Sequence, residues 1–345
     1  RCVYATEDVW PSPRSEARRF RLAERRLLPP DGPPADDDLT IRSPLTLGLF
    51  AGKGCSYASG PDLAHDQRQE DGGALTFDSA PLDAPLEILG TVSVELTLSS
   101  NRPLAMVAVR LSDVAPDGKA TRVTYGMLNL THRTSRTHPE PLEPGRRYTV
   151  RVSMNDIAQS FPAGHRLRLS LSTSYWPLAW PSPAPVCLTV HPGESAIELP
   201  VRAPRADDRT LRAFGSPEGA VPTPRRTVEP GHHNWLVHRD LAEDRSTLEV
   251  INDNGIFHLE EIDLEVESRT TEWYSSRGDD FLSPRGETRA VRGLRRGDWA
   301  VRTETRTVLT STPEAFHVSA DLDAYEGGER VFCRTWNVSL LRDFV

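Results

Sequence analysis

The residues closest to a nucleophile motif lie in the glycine-rich stretch 48–60 (GLFAGKGCSYASG). An α/β-type serine hydrolase carries Gly-x-Ser-x-Gly, whose glycines permit the strained turn that exposes the serine hydroxyl. Residues 54–58 (GCSYA) have alanine at the second glycine position, and no strand-to-helix pattern surrounds them. The Gly-Lys-Ser/Thr ending of a phosphate-binding loop is missing as well. We therefore predict a loop here and assign no catalytic residue to this chain.

Aromatic side chains are the second group that could act on a ligand. Residues 175–181 (YWPLAWP) place three aromatic rings among prolines, directly after a predicted strand. Exposed rings on such a loop can stack on a sugar or an acyl group, whereas buried rings would fill a domain interface. Two loops, 52–73 and 174–185, are the candidates for a pocket wall. The predicted rim of a substrate pocket consists of Tyr57, Tyr175, Trp176 and Trp180.

Metal-binding and redox patterns are weak. The ten histidines form no HxH or HExxH pattern, and the acidic runs 36–38 and 279–280 lack the spaced ladder of a calcium loop. The four cysteines are far apart and form no CxxC pair: Cys2, Cys55, Cys187 and Cys333. We predict no metal site, no cofactor, and the reduced cysteines of a cytoplasmic protein.

Composition narrows the class of protein and the kind of partner. The chain has 345 residues, which suggests about two domains, and its 29 prolines favour short strands over long helices. A net charge of −8 repels phosphate backbones, so we predict no nucleic-acid partner. No apolar run approaches the ~20 residues of a membrane helix, so we predict no membrane partner.

The elements that would position these residues are strands. From residue 74 onward, apolar residues alternate with polar ones, as in half-buried antiparallel strands. Residues 116–119 (PDGK) form a turn between two such strands. This spacing predicts a sandwich or jelly roll. The seven predicted strands are 91–98, 106–111, 121–130, 147–154, 167–172, 186–190 and 196–199.

The chain divides into four predicted parts. Residues 1–40 are interpreted as a linker or wrapping segment, in which 20–22 could be a strand or 18–28 a short helix. Residues 41–202 form the jelly roll, 203–233 form a crossing segment, and 234–345 form a second antiparallel β-rich unit with a hairpin turn at 326–328. Strands predicted in the second unit are 235–238, 246–251, 257–268, 298–310, 315–324 and 330–341.

Several stretches resemble one family of hydrolases. Residues 66–68 (DQR), 72–77 and 79–90 resemble the opening of the X-Pro dipeptidyl-peptidase C-terminal domain. Residues 161–169 (FPAGHRLRL) are similar to a strand entry that recurs in cocaine esterase and X-Pro dipeptidyl-peptidase (CocE/NonD-type) enzymes. Residues 276–284, 296–299 and 335–345 resemble the tail of cocaine-esterase-like hydrolases. The residues that carry the specific motifs are Asp66, Arg68, Gly164, His165 and Arg166.

The resemblance implies an all-β fold, a galactose-binding-like jelly roll, that follows the α/β-hydrolase domain of a serine hydrolase. The family's catalytic triad precedes this jelly roll, and no residue here matches it, so we expect the chain alone to be inactive. The start at Arg1, without an initiator Met, favours a fragment. We expect His165 to bond backbone groups and fix a turn.

The expected function is a non-catalytic part that packs on the N-terminal α/β-hydrolase domain of the same polypeptide and helps to wall its acyl pocket. The substrate of that enzyme would be a small ester or amide, and a homo-oligomer is left open. The alternative is a stand-alone jelly-roll module that binds carbohydrate or serves assembly, because jelly rolls host both kinds of function.

Overall fold

A computed structural model describes residues 5–32, 37–54, 62–211, 215–216 and 218–345. Within them the only α-helix is the single turn α1 (Arg68–Asp71), and no helix there has the length and apolarity to cross a bilayer. The chain forms two compact units, and only the described residues of each unit are discussed below. Unit 1 comprises Arg1–Ser56, Leu63–Ser216 and Phe344–Val345, and unit 2 comprises Tyr57–Asp62 and Pro217–Asp343.

Unit 1 is built from one continuous ladder of thirteen strands in its described residues. The ladder runs β3-β12-β6-β13-β1-β2-β4-β11-β7-β8, with β9 on β6 and with β5 joining β10 and β13. All pairs are antiparallel except a single β2–β4 bridge. The strands are β1 (Ser15–Ala23), β2 (Arg26–Leu28), β3 (Leu39–Ile41), β4 (Leu75–Asp78), β5 (Leu86–Gly90), β6 (Ser93–Ser100), β7 (Met106–Val114), β8 (Ala120–Asn129), β9 (Tyr148–Ser153), β10 (Ile157–Phe161), β11 (Arg166–Ser172), β12 (Leu188–Val190) and β13 (Ala196–Arg202).

The ladder is bent into two layers around one apolar core. Val94 on β6 and Val109 on β7 are far apart in the strand order, yet both belong to the same buried cluster. Alternating side chains from both layers fill the space between them, as in a sandwich. The all-β, jelly-roll-type fold class is confirmed, and each of the seven predicted strands in this part is present.

The first strand differs from the linker or wrapping segment expected for residues 1–40. β1 pairs with β13 from Ser15↔Arg202 to Arg21↔Ala196 and forms a hairpin with β2. Leu22 and Leu27 of this hairpin are buried in the core. Arginines occupy three of the nine positions of β1, where they separate its apolar residues and obscure the alternation. Arg19, for example, pairs with the exposed Glu95.

Unit 2 is a single antiparallel sheet of eight strands in its described residues. Neighbours in sequence pair successively from β16 to β21, while β14 and β15 both pair with β16. The strands are β14 (Arg225–Glu229), β15 (His232–Asp240), β16 (Arg245–Leu259), β17 (Leu264–Arg277), β18 (Arg285–Arg296), β19 (Trp299–Ser311), β20 (Ala315–Glu326) and β21 (Glu329–Leu341).

Three details of unit 2 differ from the sequence interpretation. β14 lies inside the predicted crossing segment 203–233, and β18 was not predicted. The predicted strand 257–268 is instead a hairpin, because the chain reverses at 260–263, where Asp263 adopts φ +48°. The predicted turn at 326–328 is present between β20 and β21.

The sheet of unit 2 has one charged and one apolar face. Residues directly opposite each other in antiparallel strands share a face. The pairs Trp273↔Glu287 and Arg289↔Arg306 therefore lie on one face. On the opposite face, Leu248 and Val250 are almost fully buried.

Candidate functional site

The predicted aromatic rim is largely buried inside unit 1. Tyr175 is fully buried and Trp176 is 2% exposed, while Trp180 is half-buried. The Tyr175 hydroxyl accepts a hydrogen bond from Arg122 Nη1 at 2.7 Å. Of the two alternatives weighed for these rings, burial holds for Tyr175 and Trp176, which expose no ring face in this chain, and Tyr57 lies outside the described residues.

Loop 43–54 covers these rings, and Gly48 makes the closest approach. Its φ is +119°, and a Cβ added there would lie 2.1 Å from the carbonyl oxygen of Trp176. Only glycine fits this backbone conformation at this distance. The ring of Trp180 meets that of Trp176 edge to face, with centroids 4.9 Å apart. The burial of Trp176 thus depends on a loop about 130 residues earlier in the chain.

Hydrogen bonds from both sides fix loop 43–54. The Glu70 carboxylate of α1 accepts bonds from the N–H groups of Gly48 at 2.6 Å and Phe50 at 2.8 Å. At the start of the loop, Ser43 and Thr173 each donate a backbone N–H to the other's hydroxyl. Loop 43–54, α1 and the segment after β11 therefore form one connected block.

A buried arginine anchors this block to the sheet. Arg110 of β7 is fully buried and donates to Gln67 Oε1 at 2.9 Å and Asp71 Oδ1 at 3.2 Å. Its Nη1 also lies 4.0 Å from Glu70 Oε2. A buried charge is tolerated only when it is paired and hydrogen-bonded, as here.

A second arginine extends the connection to two more strands. Arg168 of β11 forms a two-point contact with Asp78 of β4, at 2.7 and 2.6 Å, and donates to Asp71 at 3.0 Å. The Asp78 carboxylate, followed by that of Asp71, raises the pKa of Arg168 above its ordinary value. We call Gln67, Glu70, Asp71, Arg110 and Arg168 the Arg110 network.

Burial also raises the pKa values of two side chains within the block. Burial raises the pKa of Glu70 above its ordinary value, although Arg110 and the two loop N–H groups act in the opposite direction. Burial likewise raises the pKa of the Tyr175 hydroxyl, which keeps it protonated. Through their hydrogen bonds, Glu70 joins α1 to loop 43–54 and Tyr175 joins its segment to Arg122 of β8.

The motif residues Asp66 and Arg68 lie at the entrance to α1. Asp66 accepts the Arg68 guanidinium at 2.6 and 2.9 Å, and this contact lowers the pKa of the Asp66 carboxyl. Asp66 also accepts the Ala120 N–H at 3.3 Å, at the start of β8. The pair therefore fixes the position of α1 against β8, while Arg68 itself is exposed.

The motif residues Gly164, His165 and Arg166 form the turn from β10 into β11. Gly164 has φ +80°, which favours glycine, and its N–H donates to Leu82 O at 2.7 Å. The His165 imidazole contacts the Asp113 carboxylate at 2.7 Å rather than the backbone groups we expected, because β7 brings that carboxylate beside the turn. Arg166 is exposed.

The sequence interpretation missed the Arg110 network. Arg110 lies within an apolar run (MVAVRL), and a charged residue on a strand buried on both faces is the one signal that could have indicated it. The described residues contain no cluster of three or more metal-ligating side chains. The arrangement can hold a surface rigid; no catalytic chemistry follows from it.

The half-exposed side of the block is mostly apolar. Tyr125, Leu178 and Ala179 pack against the buried cluster that contains Tyr175 while remaining partly accessible, and Met127, on the same strand as Tyr125, is 38% exposed. The Arg122 guanidinium lies 4.4 Å from the Tyr125 ring centroid. We call the accessible and partly accessible side chains of this block the platform: Tyr125, Met127, Leu178, Ala179 and Trp180.

Comparison with known proteins points to one kind of domain. The sequence model of the X-Pro dipeptidyl-peptidase C-terminal non-catalytic domain matches residues 4–234. Cocaine esterase of a Rhodococcus species is 32% identical over 103 residues, which cover 30% of this chain and 18% of that protein. A protein of Mycobacterium bovis that is named as a serine esterase is 27% identical over 190 residues, or 49% of this chain.

Solved structures match this chain only in part. An α-amino acid ester hydrolase matches 56% of this chain and 38% of its own, with 24% identity and a TM-score of 0.48. The chain spans well under half the length of each of these relatives: 30% of the mycobacterial protein and 18% of cocaine esterase.

Proposed function

The chain belongs to the family of X-Pro dipeptidyl-peptidase C-terminal non-catalytic domains, and we propose that its jelly roll packs on an N-terminal α/β-hydrolase domain of the same polypeptide. In this proposal the platform walls one side of the acyl pocket of a serine hydrolase. The substrate is a small ester or amide. We further propose a cytoplasmic location, which the free thiols of Cys187 and Cys333 support.

The observation that carries the proposal is the support beneath the platform. Tyr175, Tyr125 and Leu178 belong to one apolar cluster, and the Arg110 guanidinium lies 5.7 Å from the Tyr175 ring centroid. A surface that must shape a reaction pocket needs this kind of rigid backing. Loops on a rigid scaffold are also where binding residues concentrate.

Burial of the aromatic rings weakens the alternative of a carbohydrate-binding module. A sugar stacks on an exposed ring face, and neither Tyr175 nor Trp176 offers one. The half-exposed rings of Tyr125 and Trp180 lie in the platform together with Met127, and aromatic residues and Met are enriched where protein domains contact each other.

The test uses the complete polypeptide that includes the hydrolase domain. Trp180→Ala removes a platform ring, and Trp299→Ala, at a 46% exposed tryptophan of unit 2, is the matched control. We expect Trp180→Ala to change the ratio of kcat/KM between acetyl and butyryl p-nitrophenyl esters by about fivefold, or about 1 kcal/mol. Trp299→Ala should leave this ratio unchanged.

Thermal unfolding of both variants separates a pocket effect from a loss of stability. If Trp180→Ala lowers the unfolding temperature but leaves the acyl preference equal to that of Trp299→Ala, the platform does not line the pocket. That outcome would reduce its role to packing.

A further inference from the structure

The charged face of unit 2 contains a depression to which the proposed function assigns no role. It is open to solvent and has a volume of about 310 Å³, near the lower end of the range for ligand sites. Three cationic side chains line it: Arg245 from β16, and Arg285 and Arg289 from β18. Thr247, Ser275 and the ring of Trp273 complete the wall, with Glu287 also among the lining residues.

The positive charge of the arginines around Glu287 exceeds the single negative charge of its carboxylate. Its almost fully buried carboxylate accepts Nε of Arg289 at 2.9 Å, Nε of Arg306 at 2.8 Å, and Nη2 of Arg285. Arg285 and Arg289 share this one carboxylate, whereas Arg306 also lies directly opposite Asp321 on β20. The nearby Glu249 is already engaged by His238 at 2.7 Å.

Elsewhere on this face, arginine charges are matched by neighbouring carboxylates. Arg295 pairs with its own carboxylate from Glu265, and Arg269 is surrounded by three acids, Glu229, Asp253 and Glu267. The excess of arginine is thus confined to the end of the sheet that contains the depression. If all charges on this face simply formed solvated ion pairs, the arginines of the depression would have as many carboxylate partners as Arg269 and Arg295.

Arg245 makes no side-chain hydrogen bond or ion pair with any described residue. Asp240 lies opposite it on β15, but the Asp240 carboxylate accepts the N–H groups of Ala242 and Glu243 in the hairpin turn instead. The hydroxyls of Thr247 and Ser275 are likewise without a partner in the described part of the chain. Free donors from two neighbouring strands thus line one depression.

We propose that this depression binds the anionic group, a carboxylate or a phosphate, of a small ligand. Guanidinium groups donate two parallel hydrogen bonds to such oxygens, and the free hydroxyls can supply further donors. Arg289 is fixed in part by the Trp273 ring, whose centroid lies 5.6 Å from the guanidinium carbon, so the site is partly preorganised. The ligand's anionic group is the counter-charge that Arg245 lacks.

The test is calorimetric titration of the 345-residue chain at low ionic strength with inorganic phosphate, acetate and benzoate. We expect saturable binding of at least one probe with a dissociation constant of about 1 mM or tighter. The strongest of the three identifies the anion, and benzoate exceeding acetate would show that an aromatic group contributes. Binding should weaken as salt is added.

Arg245→Gln is the informative variant, because it removes an exposed guanidinium that supports no other contact and should therefore leave folding intact. Arg296→Gln, an exposed arginine of β18 outside the depression, gives the same change in net charge. We expect at least tenfold weaker binding for Arg245→Gln and less than twofold for Arg296→Gln. Equal effects of the two variants, or no saturable binding of any probe by the unaltered chain, would overturn the proposal.

Discussion

Replacing Arg110 by methionine tests whether the buried network holds the platform block together. Methionine keeps most of the side-chain volume but removes the charge and both donated hydrogen bonds. Asp71 would keep Arg168 and the Ser170 hydroxyl, whereas Gln67 Oε1 would lose its donor and Glu70 its nearest cation. We expect the block to loosen before the sandwich itself unfolds.

The magnitude follows from how deeply Arg110 is buried. Removing one partner of a buried ion pair typically costs 3–5 kcal/mol, because an uncompensated charge remains. For a unit of this size, 1 kcal/mol shifts the unfolding temperature by about 2–4 °C, so Arg110→Met should lower it by roughly 6–20 °C. Arg19→Met, which breaks a half-exposed pair with Glu95 in the same sheet, should cause no measurable change.

Differential scanning calorimetry of the 345-residue chain measures both shifts. A double-mutant cycle with Asp71→Asn isolates the contact between the two side chains, and we expect a coupling free energy of about 1–3 kcal/mol. An Arg110→Met variant as stable as Arg19→Met, or a coupling near zero, would refute the claim that this network supports the block.

Two further predictions concern separate parts of the molecule. Gly48→Ala should lower the free energy of unfolding in urea by roughly 2–5 kcal/mol, because the added methyl group would collide with the Trp176 carbonyl. Gly145 also has a positive φ but faces open space, so Gly145→Ala should lower it by only about 1–2 kcal/mol. Equal losses for the two variants would contradict the close approach at Gly48. In unit 2, hydrogen bonds from three arginines, Arg306 foremost, lower the pKa of the Glu287 carboxyl from 4.5 to about 2. The ionised carboxylate therefore stabilises the fold above pH 4.5, and this stabilisation is lost as the pH falls towards 2. Glu287→Gln should flatten that part of the pH dependence of the urea midpoint, and parallel curves for the two proteins would show that Glu287 is not responsible.

The sequence predicted those strands whose apolar residues alternate without interruption. β6, β9 and β20 are of this kind, and each was found near its predicted position. β18 was missed, and only 20–22 of β1 was offered as a strand, with a short helix over 18–28 as the alternative, because arginines interrupt the apolar period of both segments. Pairing with neighbouring strands makes these segments strands, and composition does not reveal that pairing.

The candidate site was predictable only in part. The aromatic residues of 175–181 were identified from their type, but the burial of Trp176 depends on loop 43–54, which no local pattern connects to it. The Arg110 network joins residues from α1, β7 and β11, whose side chains meet only after the sheet has formed. A charge inside an apolar strand marks one member of such a network, and it does not identify the partners.

The pairing of β1 with β13 has a kinetic consequence. This ladder joins residues 15–21 to residues 196–202, so it can form only after the intervening chain has been brought into place. The meander from β16 to β21 needs only hairpins between neighbours, and contacts of short sequence separation form faster. When the denatured chain refolds, unit 2 should therefore acquire its sheet first, while β13 stays a temporary open edge of unit 1 until β1 arrives.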